Sequence, residues 1–267
     1  MIELAGASVT VTGGATGIGL ALARQLGALG ARLILFEPRA AVLEAAVADL
    51  QAQGIDAAGC AGDVTKPEEV EALADFVWER HGRGDLLINN AGVGGPVKAA
   101  IKYDVAAARA LFEVNFWGVL HGIQVFGRRW LADGQPAAVY TTASENGLFT
   151  AIPFGGGPYV ASKHAVVGLM EMLRREAPGQ ITTGVIIPGW VATDLSRNMG
   201  MDADEFAARI VPQICAGAPW CVSHSYNMVR IGERHAEIAA AYATHAPRSQ
   251  GDDALDVALF VERMGKD

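Results

Sequence analysis

Thr12-Gly13-Gly14-Ala15-Thr16-Gly17-Ile18-Gly19 stands between a short apolar run, Val9-Thr10-Val11-Thr12, and a longer amphipathic one, Ile18 to Leu29. Glycine permits sharp turns and lets backbone amides come close to a ligand, and the N-terminus of the following helix attracts negative charge. A strand, a glycine loop and a helix in that order are the local arrangement that holds a dinucleotide pyrophosphate. The stretch therefore predicts an α/β domain that opens with a nucleotide-binding unit.

The rest of the chain continues the alternation. Arg32 to Phe36, Asp56 to Ala61, Leu86 to Ile88, Ala137 to Thr142 and Thr183 to Ile187 read as further strands. Arg39 to Gln53, Pro67 to His81, Asp104 to Leu131 and Pro158 to Ala177 read as helices. Pro67 suits a first helical turn, and Glu68 and Glu69 suit its dipole. Continuous apolar strands separated by helix-length segments imply a parallel sheet covered on both faces. The expected fold is α/β, a Rossmann-like doubly wound parallel sheet of about seven strands. One domain is expected over 1–250, with the substrate loop and C-terminal helices from about 190 and a tail over 251–267. Met201 to Cys215 and Met228 to His245 read as helices, and Trp220 to His224 as a last short strand. The helix from Asp104 to Leu131 is apolar on nearly every side, which predicts a buried or subunit-contacting element.

Composition excludes several classes. Of 267 residues, 51% are hydrophobic and 19% charged, against disorder and for a deeply buried sheet. The formal charge of −8 disfavours nucleic acid and anionic membrane surfaces as partners. Cys60, Cys215 and Cys221 lack C-x-x-C spacing and fit thiols in a reducing compartment. Met1-Ile2-Glu3-Leu4 runs straight into a strand pattern, and no uncharged apolar run is long enough for a membrane span, so a cytoplasmic location is expected. Six histidines show no metal-binding spacing, and no metal is expected.

Tyr159-Val160-Ala161-Ser162-Lys163 places a phenol and an ammonium four residues apart, one turn apart on one helix face. An ammonium nearby favours phenolate, so such a tyrosine can exchange protons nearer neutral pH. The same pattern occurs on solvated helix surfaces, and the pair gains meaning only from what surrounds it.

Gly13, Gly17 and Gly19 give G-x-x-x-G-x-G, which resembles the loop of the short-chain dehydrogenase/reductase family. Asn89-Asn90-Ala91-Gly92 resembles that family's N-N-A-G motif, and Asn115, Ser144, Tyr159 and Lys163 follow in family order. Pro188-Gly189 with Thr193 resembles its P-G-x-x-x-T segment. The resemblance runs over roughly residues 5 to 195. It implies that Tyr159 is a general acid/base, that Lys163 lowers its pKa and holds the nicotinamide ribose, and that Asn115 holds a relay water. Ser144 can donate to the substrate oxygen. Cofactor contacts are implied from Gly13, Thr16, Gly17, Ile18 and Gly19, from Asp63 and Val64 at the adenine, from Asn90, Ala91 and Gly92, and from Pro188, Gly189, Val191 and Thr193. Tyr159 and Lys163 complete that set.

Glu37 lies 18 positions after Gly19, where a carboxylate can accept from the adenosine ribose 2′-OH and repel a 2′-phosphate. Arg39 could instead welcome that phosphate. With no Lys or Arg in the glycine loop, NAD is the favoured cofactor. Substrate-facing candidates are Gly94, Gly95, Pro96, Phe149, Phe154, Trp190 and Met199, an apolar set suited to a bulky or aryl secondary alcohol or ketone, and Glu145 after Ser144 could face substrate or cap the turn. Ser144 to Tyr159 spans 15 positions, longer than the family's spacing, and the extra length falls in Ile152 to Pro158. Pro219 to His224 loosely resembles family members acting on lignin-derived aryl ethers and steroids. The expected activity is an NAD-dependent secondary-alcohol dehydrogenase, working as a homodimer or homotetramer. An NADPH-dependent carbonyl reductase and a catalytically silent nucleotide-binding protein remain the alternatives.

Overall fold

Every residue from Ser8 to Thr12 and from Ala137 to Thr142 is buried, as is all of Leu33 to Glu37. Strands buried along their whole length need cover on both faces. The computed structural model supplies that cover; it describes residues 2–151 and 155–264. Contacts group the chain into two compact units, 1–224 and 225–267.

In the first unit, β1 (Ser8–Thr12), β2 (Arg32–Glu37), β3 (Ala57–Ala61), β4 (Leu86–Asn89), β5 (Ala137–Thr142), β6 (Ile181–Ile187) and β7 (Trp220–Val222) form one sheet in the order β3-β2-β1-β4-β5-β6-β7. All six pairings are parallel. The order reverses between β1 and β4, so the carboxyl ends of these two strands flank the topological switch point, the ligand crevice of open α/β sheets. This is the Rossmann-like, doubly wound fold that the alternation predicted.

The helices are α1 (Gly17–Ala28), α2 (Ala40–Ala52), α3 (Pro67–His81), α4 (Val105–Phe112), α5 (Gly118–Asp133), α6 (Gly157–Glu176) and α7 (Ala203–Cys215). The alternation along β2 shows how the two layers divide. Leu33 and Leu35 join Leu22, Leu26, Phe206 and Ile210 of α1 and α7 on one face. Ile34 and Phe36 join Val70, Leu73, Phe126 and Met170 of α3, α5 and α6 on the other. Each large apolar side chain buried this way contributes about 1.5–3 kcal/mol. Pro67 does begin α3, with Glu68 and Glu69 in its first turn, and Gly82 ends it at φ 77°. That is the left-handed C-terminal position where glycine avoids a Cβ clash.

One predicted helix is divided. The segment read as Asp104 to Leu131 consists of α4, a π-helical turn over Glu113–Trp117 and then α5. Asp104 caps α4, its carboxylate accepting from Ala106 N and Ala107 N. Leu111, Val119, Val125 and Phe126 are buried, whereas Val105, Trp117 and Leu131 remain exposed. The predicted last strand is also shorter: β7 stops at Val222, and Ser223 and His224 turn away.

The second unit holds α8 (Asn227–His245) and α9 (Val257–Met264), with a 3-10 turn at Asp252–Ala254 between them. Ser249 N and Oγ donate to the Asp252 carboxylate ahead of that turn. The 251–267 segment, read as a tail, thus carries a short helix.

Candidate active site

The glycine loop leaves β1 between β2 and β4. Gly13 has φ 58°, and a Cβ built there would stand 2.9 Å from Ala91 Cα. A Cβ at Gly19 would meet Gly13 O at 2.2 Å. Both positions therefore exclude larger residues on steric grounds. Gly17 opens α1 opposite the Thr193 methyl group. Thr16 precedes α1 without a side-chain cap, and the first turn carries no acidic residue. The helix N-terminus thus keeps amide donors and positive potential for an anion.

Asn90 pins this loop. Its Nδ2 donates to Thr12 O (3.1 Å) and Gly13 O (3.2 Å), and its Oδ1 accepts from Thr142 Oγ1 at 3.2 Å. Thr12 Oγ1 accepts from Asn90 N and Ala91 N at 3.0 and 3.1 Å. Thr12 and Thr142 are organising residues that the motifs did not single out; their signal in the sequence is only a hydroxyl at the end of an apolar strand.

At the end of β2, Glu37 is buried and its Oε1 accepts from Arg39 Nε at 2.6 Å. Arg39 Nη2 reaches Thr16 Oγ1 at 3.4 Å, so one guanidinium bridges the carboxylate and the glycine loop. The Glu37 hydrogen bond raises the Arg39 pKa further. Asp63 Oδ1 accepts from Thr65 N at 2.9 Å in a turn after β3. Val64 is buried, with Gly118 packed against it.

Across the switch point lie Ser144, Tyr159 and Lys163. Ser144 follows β5, and its Oγ accepts from Asn146 N at 3.2 Å. Its own proton is thereby free to donate, and it hydrogen-bonds the Tyr159 phenol. Burial raises the Tyr159 pKa, the Ser144 bond opposes that rise and the Glu145 charge adds to it. The depression expected from the lysine is therefore not reached by this chain's side chains alone. Lys163 Nζ lies 5.8 Å from the Tyr159 ring centre and donates to Thr142 O at 3.0 Å. Burial lowers its pKa to about 8.

Asn115 sits in the π-turn, fully buried. Its Oδ1 accepts from Val93 N at 2.8 Å, and its Nδ2 donates to Val93 O (3.0 Å) and Ser162 Oγ (3.1 Å). Ser162 Oγ in turn donates to Tyr159 O at 2.7 Å. The side-chain amide therefore clamps the loop after β4 onto α6. Gly92 lies beside both groups: a Cβ there would be 3.3 Å from Asn115 Oδ1 and 3.5 Å from Lys163 Nζ.

The substrate candidates divide. Gly94 packs against Leu195, so the loops after β4 and β6 meet. Trp190 and Met199 are exposed on the second of these loops, whose base is closed by Met201 N donating to Trp190 O at 2.8 Å. Glu145 and Phe149 are buried behind Ser144. Phe154 lies outside the described residues. The extra length before Tyr159 ends on Gly155 and Gly156, where Gly156 N donates to Lys98 O at 3.1 Å. Pro188, Gly189, Val191 and Thr193 follow β6, and Pro188 O accepts from Glu145 N at 2.8 Å. Among the described residues no three His, Cys, Asp or Glu side chains gather as a metal site, and no helix is long and apolar enough to cross a membrane.

A glycine loop at the switch point of a doubly wound sheet defines a dinucleotide-binding class of protein. The family profile described as short chain dehydrogenase matches residues 7–204, and the chain belongs to that family of oxidoreductases, which bind a nicotinamide cofactor. It is 30% identical to 1-deoxy-11-beta-hydroxypentalenate dehydrogenase of Streptomyces avermitilis, over 89% of this chain and 92% of that one. A short-chain dehydrogenase/reductase from Burkholderia phymatum, solved with NAD, superposes with a TM-score of 0.85 at 28% identity, covering 93% of this chain and 99% of that one. A short-chain dehydrogenase structure from Novosphingobium aromaticivorans gives 0.86 at 29% identity, covering 100% and 97%.

Proposed function

We propose that this chain is an NAD-dependent dehydrogenase of bulky secondary alcohols, with Tyr159 as general acid/base. The observation that carries this reading is the hydrogen bond between Ser144 and Tyr159 beside Lys163, at the carboxyl edge of the sheet. The residues fit the dinucleotide. The uncapped N-terminus of α1 suits the pyrophosphate, Glu37 suits ribose hydroxyls, and Lys163 beside Gly92 suits the nicotinamide ribose. When bound, the nicotinamide accepts or returns hydride.

The chain's own residues handle the oxygen and its proton. Ser144 donates to the substrate oxygen while Tyr159 takes or gives the proton there. Lys163 stabilises the phenolate by its charge, and Asn115 holds the loop and helix that frame the pair. NAD is supported by the buried Glu37 carboxylate, and the Burkholderia structure holds NAD. Arg39 beside Glu37 favours the second reading, an NADP(H)-dependent reductase. Exposed Trp190 and Met199 above the site suit an apolar substrate. Exposed Val105 on α4, Trp117 in the π-turn and Leu131 on α5 support association as a dimer or tetramer. The deciding experiment is a screen of aryl, terpenoid and steroid alcohols with NAD and NADP in parallel, read by nicotinamide absorbance. Turnover with NAD supports the proposal; a clear preference for NADP selects the second reading; binding without turnover of any alcohol or ketone overturns both.

A further inference from the structure

His224 follows β7, and its ring faces the peptide that follows β6. Gly189 N lies 3.2 Å from His224 Nδ1, and Ser223 Oγ lies 2.7 Å from the same nitrogen. A peptide N–H can only donate, so Nδ1 accepts and the neutral ring carries its proton on Nε2. The ring also hydrogen-bonds the Trp190 main chain, which as a carbonyl can only accept. On its other side the same segment is tied to the Ser144 turn, through Glu145 N donating to Pro188 O at 2.8 Å. Pro188 to Trp190 is therefore held between the serine beside Tyr159 and one histidine at the far strand.

We propose that His224 is a positioning residue: as a neutral imidazole protonated on Nε2, it sets the Pro188–Trp190 segment against the nicotinamide half of the dinucleotide and in register with Ser144. The inference rests on the dinucleotide reading above and extends it to a residue outside the implied cofactor contacts. The charged groups facing the ring are Arg209 and Glu205 of α7, which pair with each other at 2.5 Å, while Arg209 Nη1 also donates to Ser223 O at 3.1 Å. Burial is the largest influence on the ring and lowers its pKa; the Trp190 bond opposes this, Arg209 adds to it and Glu205 opposes it. The neutral form thus prevails at neutral pH. Acid would place an Nδ1–H against the Gly189 N–H and break the contact.

The test is titration of NADH and, separately, ADP-ribose, which has the pyrophosphate but no nicotinamide. His224→Phe keeps ring volume and removes the ring's hydrogen bonds to Gly189, Ser223 and Trp190, while His224→Asn keeps an acceptor near the Nδ1 position. ADP-ribose should bind wild type and variants alike. NADH affinity and kcat should fall about tenfold in His224→Phe and less in His224→Asn, the scale of one hydrogen bond lost from a buried amide. In wild type, the nitrogen-15 histidine spectrum should show an unprotonated Nδ1 at neutral pH, with protonation tracking the loss of NADH affinity. Unchanged NADH binding and kcat in His224→Phe, equal losses for both ligands, or a proton on Nδ1 would each overturn the proposal. Wild-type protein that binds neither ligand would instead remove the dinucleotide reading, and this inference with it.

Discussion

Lys163 Nζ donates to the Thr142 carbonyl at 3.0 Å while standing 5.8 Å from the centre of the Tyr159 ring. The ammonium is thus anchored to the end of β5, one helical turn from the phenol. Burial raises the Tyr159 pKa above its ordinary value, the Ser144 hydrogen bond opposes the rise and the Glu145 charge adds to it, so the side chains alone favour the protonated, acid form. Alcohol oxidation needs the phenolate, which an added positive charge at the nicotinamide position would favour.

Tyr159→Phe removes the proton carrier and leaves the glycine loop intact. Turnover should fall by about 10²–10⁴-fold, the usual weight of general acid/base catalysis. Dinucleotide affinity should change little. In the wild type the rate of alcohol oxidation should rise with pH, because the base form of Tyr159 is required. Stopped-flow and binding titrations check both; residual turnover within a few-fold of wild type would remove Tyr159 from the proton step.

Lys163 carries a stability cost that its role requires. Its pKa is lowered from 10.5 to about 8 by burial, so the unfolded chain binds more protons between those values. The cost is fully present below pH 8 and is relieved as pH rises toward 10.5. Lys163→Met should lose turnover yet gain about 1–3 kcal/mol at pH 7, at about 1.4 kcal/mol per pKa unit. Thermal melts across this range should show the advantage over wild type shrinking as pH rises. A variant less stable than wild type at pH 7 would contradict the assignment.

Glu37 and Arg39 set opposing preferences within one ion pair. Glu37→Gln removes the repulsion toward a 2′-phosphate and leaves Arg39 unpaired, so the NADP-to-NAD ratio of kcat/KM should rise at least about tenfold, or about 1.4 kcal/mol. Arg39→Ala should move the ratio the opposite way. Steady-state kinetics with both cofactors check the pair of shifts, and an unchanged ratio in both variants would place the ribose elsewhere.

The legible parts of this chain were local. Gly13, Gly17 and Gly19 carry their meaning in spacing, and strands such as that holding Leu33 to Phe36 announce burial by continuous apolarity. The π-turn at Glu113–Trp117 was not legible, because a single i→i+5 turn leaves the apolar pattern on either side unbroken. The short α9 was also missed, since one or two turns give too little periodicity to recognise. Ser162 and His224 were invisible for another reason. Their partners, Asn115 and Gly189, lie 47 and 35 residues away, and no pattern in the sequence joins them.

Two glycines on α5 separate close packing from simple helix chemistry. A Cβ at Gly122 would stand 2.3 Å from Asn89 Oδ1 on β4, whereas one at Gly127 would meet nothing within 4 Å. Gly122→Ala must displace the buried Asn89 side chain or the helix itself, next to the Asn90 clamp, and overpacking of this kind costs about 1–3 kcal/mol. Gly127→Ala should stabilise by about 0.4–1 kcal/mol, because alanine loses less backbone entropy on forming a helix. Urea unfolding of both variants measures the contrast. Since Asn89 adjoins Asn90, Gly122→Ala should also weaken dinucleotide binding, while Gly127→Ala should leave it unchanged. Equal stability in the two variants would show that α5 does not approach β4 this closely.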